Sequence, residues 1–321
     1  MVVPLYVNSQ QASSLLDAPL VLKIVERALV GLSGSRLVNG AKGGFTLGGE
    51  ERRRHMGAIS GCDLDANMAG VKWFAACDDN ARRGLPRVPA TIVLCDAETG
   101  LLSGVIDATA LTAIRTAALA VCAIRPCVPR QFGKATIVGF GPIGQTVARY
   151  LPGAFDVDEI VAVTRNGKEA SIDEVPQLRV QNGLEDAVRG ADLVITATGV
   201  STNTPLVDAD WLRSGATVCG LGSYQEIDSR IALAADRIYV DNWETCRQRG
   251  NLAPVIQSGA LTRADVDGEV ADLVAGKLPG RTATDDMVVI ALVGIGALDI
   301  ALGAALLEQA RLRNVGTQLV S

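Results

Sequence analysis

The sequence predicts an α/β protein with two parts: a doubly wound parallel sheet of the Rossmann type and a discontinuous α+β domain. Segment 135–144, ATIVGFGPIG, has an apolar run that leads into a glycine-rich turn and then into helix-compatible residues. This is the strand, turn and helix start of a dinucleotide site. After it, short apolar runs alternate with helical stretches, the pattern of a parallel sheet. At 321 residues and about 150 residues per domain, the chain has room for two domains.

Each glycine of the turn has its own physical task. Gly139 permits the tight turn, Gly141 lets the backbone approach a diphosphate, and Gly144 lets the helix pack closely on the strand. The helix start then presents N–H groups and the positive end of its dipole to the phosphates. Together with Pro142 and Ile143, these glycines are predicted to bind the cofactor. The alternative is a purely structural glycine-rich turn.

Six apolar runs account for the predicted parallel sheet. The first, Thr136–Val138, leads into the turn, and a helix is predicted at Gly183–Arg189, before the fourth run. The other five runs are Ile160–Thr164, Leu178–Val180, Leu193–Thr198, Ala216–Leu221 and Arg237–Val240. Strands at this spacing fit a doubly wound nucleotide-binding fold.

The end of the second strand bears on the choice of cofactor. An NAD site usually has an acidic residue about 20 residues after the glycines, on the ribose 2′-hydroxyl. Here the strand ends in Thr164, Arg165 and Asn166, with no acid. An arginine at this position favours the 2′-phosphate of NADP; the alternative is a surface arginine with no cofactor role. We predict an NAD(P) site with a preference for NADP, in which these three residues and Thr198 join the turn.

The first 125 residues have a different pattern. Helices are predicted at Leu15–Leu32 and Thr109–Ile124, the second with Asp107 as its cap. Short strands separated by polar loops are predicted at Gly57–Ser60, Gly70–Phe74 and Thr91–Cys95. The final helix, Ala297–Leu312, is apolar enough to pack back on this part. The prediction is a substrate-binding and dimerisation domain of residues 1–128 and 297–321, and a dinucleotide-binding domain of residues 129–296.

Composition and charge exclude several classes of partner. With 35 acids against 30 bases the net charge is −5, which argues against nucleic acid and anionic membranes. The start of the chain lacks the pattern of a signal peptide, and the seven cysteines form no CxxC pair, so a cytoplasmic protein with reduced thiols is expected. The apolar run Val288–Leu307 reads as a buried strand and helix, since Asp299 interrupts it. A single histidine, His55, excludes a multi-histidine metal site.

Three cations are candidates for substrate chemistry. Arg115 is surrounded by Ala, Leu, Thr and Ile on every helical face, so either a substrate carboxylate or a distant internal acid must face it. Lys72 lies in the apolar segment AGVKWFAAC, and an interior lysine that loses its proton readily suits acid–base catalysis. The alternative is a snorkelling lysine at a strand end. Lys42, in NGAKGGF, is a second carboxylate contact or a solvated loop charge, and the loop charge is favoured. For Asp299, a helix cap is favoured over a site carboxylate.

Several long motifs carry a family resemblance. GVKWFAACDDN (70–80), the segment 84–118 and VGFGPIG resemble the ornithine cyclodeaminase/mu-crystallin family. The resemblance implies a two-domain fold, a homodimer formed through the first domain, a catalytic or substrate-orienting Lys72 and a carboxylate-binding Arg115. Motifs at 239–252, 270–281 and 313–319 are similar to the branch of the family that acts on N-(2-amino-2-carboxyethyl)-L-glutamate. In that branch a lysine stands near Lys42, which implies a carboxylate ligand there.

Departures from the family pattern limit what the resemblance implies. Family cyclodeaminases have a catalytic Asp after the fifth strand, whereas the segment Gly220–Tyr224 has no acid and the next one is Glu226. A family glutamate is replaced near His55, and a Lys or Asn is replaced by Ala291. The related dehydrogenases have an Asp at the end of the second strand, where this chain has Arg165. Cyclodeamination is therefore disfavoured.

Three functions follow from the resemblance and the departures. The first is an NAD(P)-dependent oxidoreductase that acts on a CH–NH bond of an amino-acid conjugate. The second is an NADPH-dependent reductase of an imino acid such as pyrroline-2-carboxylate. The third, from a different class, is a binding protein that holds a nicotinamide and a small ligand without useful catalysis. In each case a small amino-acid-type molecule is the expected ligand.

Overall fold

The computed structural model describes residues 3–48, 54–164, 171–200 and 202–319. Two predicted cofactor contacts, Arg165 and Asn166, lie outside the described residues. The chain divides into two compact units. The first consists of Met1–Arg115 and Ile295–Ser321, and the second of Thr116–Gly294. The domain boundaries at residues 128 and 297 stay a prediction.

The first unit contains a seven-stranded mixed sheet. Numbered along the whole chain, its strands are β1 Leu5–Val7, β2 Leu37–Leu47, β3 Arg54–Asp63, β4 Met68–Cys77, β5 Ala90–Asp96, β6 Leu102–Asp107 and β15 Thr317–Gln318. Their order across the sheet is β15-β1-β6-β5-β4-β3-β2. Strands β2 to β6 form an antiparallel meander, and β1 pairs with β6 in parallel. The meander supplies the surface on which candidate site residues lie.

The helices of the first unit agree with the sequence patterns, with one exception. They are α1 Ser9–Leu15, α2 Ala18–Ser33, the part of α3 (Thr109–Ile124) up to Arg115, and α10 Gly296–Leu312. The predicted helix Leu15–Leu32 is wrong at its start, because the side chain of Asp17 accepts a hydrogen bond from Leu20 N at 2.9 Å and caps a new helix. Helix α3 has the predicted bounds, and Asp107 accepts from Thr109 N at 3.1 Å.

Helix α10 packs on one face of the meander, against β3 and β4. Its first two N–H groups, of Gly296 and Ala297, donate to the side-chain oxygen of Asn39 on β2 at 2.9 and 3.2 Å. A Cβ on Gly61 would lie 2.8 Å from the Cα of Ala297. Because Gly61 has no side chain, the start of α10 can approach β3 closely.

The second unit contains an eight-stranded sheet. Its strands are β7 Gln131–Val138, β8 Asp156–Val163, β9 Leu178–Gln181, β10 Leu193–Thr196, β11 Thr217–Leu221, β12 Arg237–Val240, β13 Gly268–Glu269 and β14 Val288–Leu292. Every pairing in it is parallel, in the order β13-β12-β14-β11-β10-β7-β8-β9. The helices, apart from the rest of α3, are α4 Pro142–Ala154, α5 Leu184–Val188, α6 Ser229–Leu233, α7 Trp243–Cys246, α8 Ala253–Gln257 and α9 Val270–Val274.

These two sheets confirm the predicted fold class. All six predicted strands of the parallel sheet are present, with bounds that differ by a few residues. The apolar run Val288–Leu307 is strand β14 followed by the start of α10, as predicted. Within the described ranges, no helix is both long enough and apolar enough to span a membrane.

The glycine-rich segment around Lys42 differs from its prediction. It is part of β2 and pairs with β3 from Leu37 to Leu47, with one irregularity after Asn39. Glycines weaken strand propensity, but the hydrogen bonds to β3 fix the segment in the sheet. Lys42 is therefore a strand residue, and the prediction of a loop charge is wrong.

Candidate active site

A buried ionic cluster lies in the first unit, where β4 and α10 meet. Lys72 Nζ is 2.7 Å from Asp299 Oδ2, and Arg115 Nε is 3.1 Å from Asp299 Oδ1. Lys72, Arg115 and Asp299 are 2%, 6% and 2% exposed. Asp299 is in the first turn of α10, but the cap position is Ile295. The favoured prediction of a helix cap is wrong, because the carboxylate is held between two cations.

The charges of this cluster are strongly coupled. Burial, followed by the neighbouring Arg115, lowers the pKa of Lys72 from 10.5 to about 8, while Asp299 opposes the shift. Burial alone would raise the pKa of Asp299, but Arg115 and Lys72 outweigh it and hold that pKa below its ordinary value. With both cations charged, the cluster carries one net positive charge. It can therefore attract one further carboxylate, and Lys72 can exchange a proton near neutral pH.

Arg115 forms the ion pair with an internal acid, one of its two predicted contacts, and its role as a carboxylate ligand stays a prediction. The internal ion pair considered from the sequence exists, and its partner is Asp299, 184 residues along the chain. This contact uses Nε. Within the described residues, the terminal nitrogens of Arg115 form no hydrogen bond. A guanidinium in this state can still bind a carboxylate through its terminal nitrogens.

Lys42 lies on the same face of the sheet as Lys72. Lys42 pairs with Ile59 on β3, and Ile59 pairs with Lys72 on β4. Residues in register across a sheet point to the same side, and two strand spacings place these lysines about 10 Å apart. Lys42 Nζ lies 5.8 Å from the ring centroid of Phe74, which is two residues after Lys72 on β4. The sheet therefore brings Lys42 to the candidate substrate site.

Phe74 was not singled out by the sequence patterns. Its ring lies over Gly57 on β3, where a Cβ would come within 2.4 Å of the ring. The ring centroid of His55, also on β3, lies 5.9 Å from that of Phe74. Alternation along β4 places Phe74 and Lys72 on one face, a signal that could have identified both from the segment GVKWF.

The glycine turn of the second unit has the geometry that its sequence predicts. Gly139 follows β7 with a φ of +96°, and a Cβ there would lie 2.8 Å from the carbonyl oxygen of Ala197. Gly141 is the cap residue of α4, and Pro142 begins the helix. A Cβ on Gly144 would lie 2.2 Å from the carbonyl oxygen of Gly139, so strand and helix approach as a glycine alone permits.

The turn also fits the diphosphate of a dinucleotide. A Cβ added to Gly141 would meet no atom within 4 Å, so the space in front of the backbone is open. No side chain caps the start of α4, which leaves its N–H groups for phosphate oxygens. At the end of β8, the buried hydroxyl of Thr164 has no hydrogen-bond partner among the described residues. Gly141, Pro142, Ile143 and Thr164 would hold the dinucleotide, which supplies hydride transfer when bound.

Replacing Gly141 with valine tests this assignment. We expect NADH and NADPH to bind at least about tenfold more weakly, because the side chain would fill the open space that the diphosphate needs. The melting temperature should hardly change, since the backbone at Gly141 is extended and a Cβ contacts no protein atom. Dinucleotide fluorescence titration and thermal unfolding measure the two quantities. Gly153→Val, also at a position with open space, is the matched control, and equal affinities in both variants would contradict the assignment.

The remaining cofactor candidate, Thr198, lies just after the end of β10. Its backbone N–H donates to Glu226 Oε1 at 3.1 Å, and its hydroxyl contacts the same oxygen. Thr196 Oγ1 donates to Glu226 Oε2 at 2.6 Å. Burial raises the pKa of Glu226 to about 7, although the hydrogen bonds from both threonines oppose this. The segment after β11 thus lacks the cyclodeaminase Asp but carries a buried acid.

The chain is similar in sequence and in fold to several named enzymes. The chain is 29% identical to N-((2S)-2-amino-2-carboxyethyl)-L-glutamate dehydrogenase of Staphylococcus aureus over 263 residues, which are 78% of this chain and 77% of the relative. The structure of Thermococcus litoralis Δ1-pyrroline-2-carboxylate reductase, in complex with NADH and L-proline, superposes with a TM-score of 0.90 at 21% identity, over 98% and 100% of the two chains. An archaeal alanine dehydrogenase dimer with bound NAD gives 0.87 at 24% identity, over 99% of each chain.

The family assignment depends on a match that covers most of the chain. The model of the ornithine cyclodeaminase/mu-crystallin family matches residues 21–314. Several of the relatives are named as dehydrogenases or reductases, and the predicted class of NAD(P)-dependent oxidoreductase is confirmed. Because this match covers most of the chain, the chain belongs to the ornithine cyclodeaminase/mu-crystallin family.

Proposed function

We propose that this protein oxidises the carbon–nitrogen bond of an amino-acid conjugate of the type of N-(2-amino-2-carboxyethyl)-L-glutamate. The products would be 2,3-diaminopropionate and 2-oxoglutarate, precursors for siderophore or peptide natural-product biosynthesis. The observation that carries the proposal is the buried Lys72, whose Nζ is 2.7 Å from Asp299, in a cluster with Arg115. The S. aureus relative, named for this reaction, supports the choice of substrate.

The proposed reaction balances in two steps. The dinucleotide held at the glycine turn would supply the hydride acceptor for the α-carbon of the glutamate part, and with loss of a proton from the secondary amine an imine would form. Water then adds to the imine carbon and the carbon–nitrogen bond breaks, which releases the amine and the keto acid. Lys72 would take the proton from the amine or from the attacking water, and a pKa of about 8 suits this task near neutral pH.

The remaining cations would bind the substrate carboxylates. Arg115 binds Asp299 through Nε, and its two terminal nitrogens would make a bidentate contact with a carboxylate. Lys42 lies about 10 Å from Lys72 on the same face of the sheet. That separation suits a second carboxylate, on a conjugate of two amino acids.

A second candidate is an imino-acid reductase that runs the chemistry in the opposite direction. The T. litoralis relative, a Δ1-pyrroline-2-carboxylate reductase solved with NADH and L-proline, favours it. Lys72 would then supply a proton to the imine nitrogen. Arg165, which we propose to bind a 2′-phosphate, also favours a reduction, since NADPH serves reductive reactions. We propose NADP as the preferred cofactor on this basis.

One set of assays separates the two reactions. The purified protein is given N-(2-amino-2-carboxyethyl)-L-glutamate with NAD or NADP, and separately Δ1-pyrroline-2-carboxylate with NADH or NADPH. Reduced nicotinamide is followed by its absorbance, and 2-oxoglutarate by mass spectrometry. We expect formation of 2-oxoglutarate with the conjugate. Faster turnover of the cyclic imine would favour the reductase, and tight dinucleotide binding without turnover of either would favour a binding protein.

We further propose that a second copy of the chain covers the open face of the first unit's sheet. Trp73 lies on the face opposite to Lys72 and is 46% exposed, and Phe45 on β2 is 52% exposed. Their ring centroids are 6.2 Å apart. Val38, also exposed, lies on the same strand as Phe45. An apolar sheet face of this kind indicates an interface, and the archaeal alanine dehydrogenase relative is a dimer.

The substitution Trp73→Arg tests the homodimer. We expect the wild-type protein to sediment as a dimer and the variant to shift toward the monomer, because a desolvated arginine would replace an aromatic contact at the centre of the interface. Sedimentation velocity at several concentrations measures the change. Leu233→Arg, which alters a leucine 53% exposed in the second unit, is the control. A wild-type monomer, or a Trp73→Arg dimer of unchanged affinity, would contradict the proposal.

A further inference from the structure

We propose that Glu226 is a positioning residue that fixes the main chain at Thr198 and, through it, one wall of the dinucleotide-binding turn. The proposal rests on the proposed use of a nicotinamide dinucleotide and adds a residue on which its affinity depends. Glu226 is 1% exposed and lies after β11, outside the glycine motif. It has no place in the chemistry assigned to Lys72 and Arg115.

The carboxylate of Glu226 holds both ends of one short segment. Oε2 accepts from Thr196 Oγ1 at 2.6 Å, and Oε1 accepts from Thr198 N at 3.1 Å and from the Thr198 hydroxyl. Residue 196 is the last of β10, so these contacts set the direction in which the chain leaves the strand. An ionised carboxylate can accept all three hydrogen bonds at once.

The segment that Glu226 holds forms a wall of the glycine turn. A Cβ on Gly139 would lie 2.8 Å from the carbonyl oxygen of Ala197 and 2.9 Å from the Cα of Thr198. Ala197 N also donates to Val138 O at 2.8 Å, at the end of β7. The turn and the segment are therefore in direct contact, and a shift at Thr198 would change the space above the glycines.

The main chain of Glu226 is itself fixed on two sides. Asn251 Oδ1 accepts from Glu226 N at 2.8 Å and from Ile227 N at 3.2 Å. The carbonyl oxygen of Glu226 accepts from Leu206 N at 2.7 Å and from Val207 N at 3.1 Å. Because the backbone is anchored, the carboxylate acts as a fixed support. Loss of its hydrogen bonds would release the Thr198 end.

The surroundings of the carboxylate are polar but uncharged. The groups that face the carboxylate are the hydroxyls of Thr196 and Thr198 and the backbone N–H of Thr198. The main chain of Glu226 is bound by the backbone N–H groups of residues 206 and 207 and by the side-chain oxygen of Asn251. No charged side chain of the described chain contributes to its shifted pKa of about 7. A buried acid without a counter-ion destabilises the fold when it ionises, which favours a functional reason for its presence.

The test compares Glu226→Leu and Glu226→Gln with the wild-type protein in NADH and NADPH titrations. Leucine removes every acceptor, and we expect affinity to fall at least tenfold. Glutamine keeps one acceptor oxygen and resembles the protonated acid, so it should restore part of the affinity. Lowering the pH from 8 to 6 protonates Glu226, so the dinucleotide affinity of the wild-type protein should approach that of Glu226→Gln. The ratio between the affinities of Glu226→Gln and Glu226→Leu should be the same at both pH values. Glu244→Gln, at an exposed pair with Arg247, is the matched control.

The outcomes separate this proposal from the proposed function. If the wild-type protein binds dinucleotide and both Glu226 variants bind it equally well, the positioning role is overturned and the function stands. If the wild-type protein binds neither dinucleotide, both are overturned. Should Glu226→Leu fail to fold by circular dichroism, Thr196→Val removes one of the same hydrogen bonds from within β10. A lowered melting temperature with unchanged affinity in Thr196→Val and Glu226→Gln would show a merely structural role.

Discussion

Replacing Lys72 with methionine is expected to lower kcat by a factor of about 10²–10⁴, the range that general acid–base catalysis contributes. Methionine keeps most of the volume and the apolar stem but carries no proton. Because Asp299 still has Arg115 as a partner at 3.1 Å, the buried cluster becomes a neutral pair. We therefore expect the fold and dinucleotide affinity to survive while turnover is lost.

The pH dependence of turnover shows whether Lys72 acts as a base or as an acid. A base must be neutral to accept a proton, so oxidation of the conjugate should rise with pH through the Lys72 pKa of about 8. A reductase that uses Lys72 as an acid would show the opposite slope. Lys23→Met, at an exposed position of α2, is the control for a lost lysine. Near-normal kcat in Lys72→Met would remove Lys72 from the mechanism.

Replacing Asp299 with asparagine is expected to destabilise the protein by about 3–5 kcal/mol, the cost of removing one partner from a buried ionic group. Lys72 and Arg115 are nearly buried, and without Asp299 they would face each other as like charges. Asp299 also raises the pKa of Lys72, so its loss should move that pKa below 8. The variant should therefore lose activity as well as stability.

The loss of stability in Asp299→Asn should depend on pH. The pKa of Lys72 is lower in the folded protein, about 8, than its ordinary 10.5. The unfolded chain thus binds more protons in this window, and stability rises with pH through it. In Asp299→Asn the pKa of Lys72 is lower still, so the rise in stability with pH begins at a lower pH than in the wild-type protein. The variant should therefore be destabilised, relative to the wild-type protein, more at pH 6.5 than at pH 9, where Lys72 is neutral.

Denaturant unfolding at these two pH values measures the difference between the wild-type protein and Asp299→Asn. Asp65→Asn is the matched control, since Asp65 forms an exposed pair with Arg36 at 3.2 Å. Such pairs contribute about 0–1 kcal/mol. A destabilisation as small as that of the control would mean that Asp299 is not ionised in the folded protein.

Local sequence signals predicted the elements whose patterns are local. Helix α3 has the predicted bounds, since its sequence is rich in alanine, the strongest helix former. The glycine turn adopts the positive φ at Gly139 that its sequence required. Strand β2 was missed, because its many glycines resemble a loop until β3 pairs with them. The position of β14 between β11 and β12 in the sheet could not be predicted either, because it depends on pairing between strands that are distant in sequence.

The sequence by itself predicted a dinucleotide turn and two cations, Lys72 and Arg115, in apolar surroundings. Those features are short and local, and their physical requirements can be read from residue types. Only the tertiary structure decided what the cations contact. Asp299 lies 184 residues from Arg115 along the chain, and Glu226 lies 28 residues from Thr198. The partner of a buried charge or of a buried hydrogen-bond donor depends on how distant segments of the chain pack together. That packing cannot be read from a single sequence.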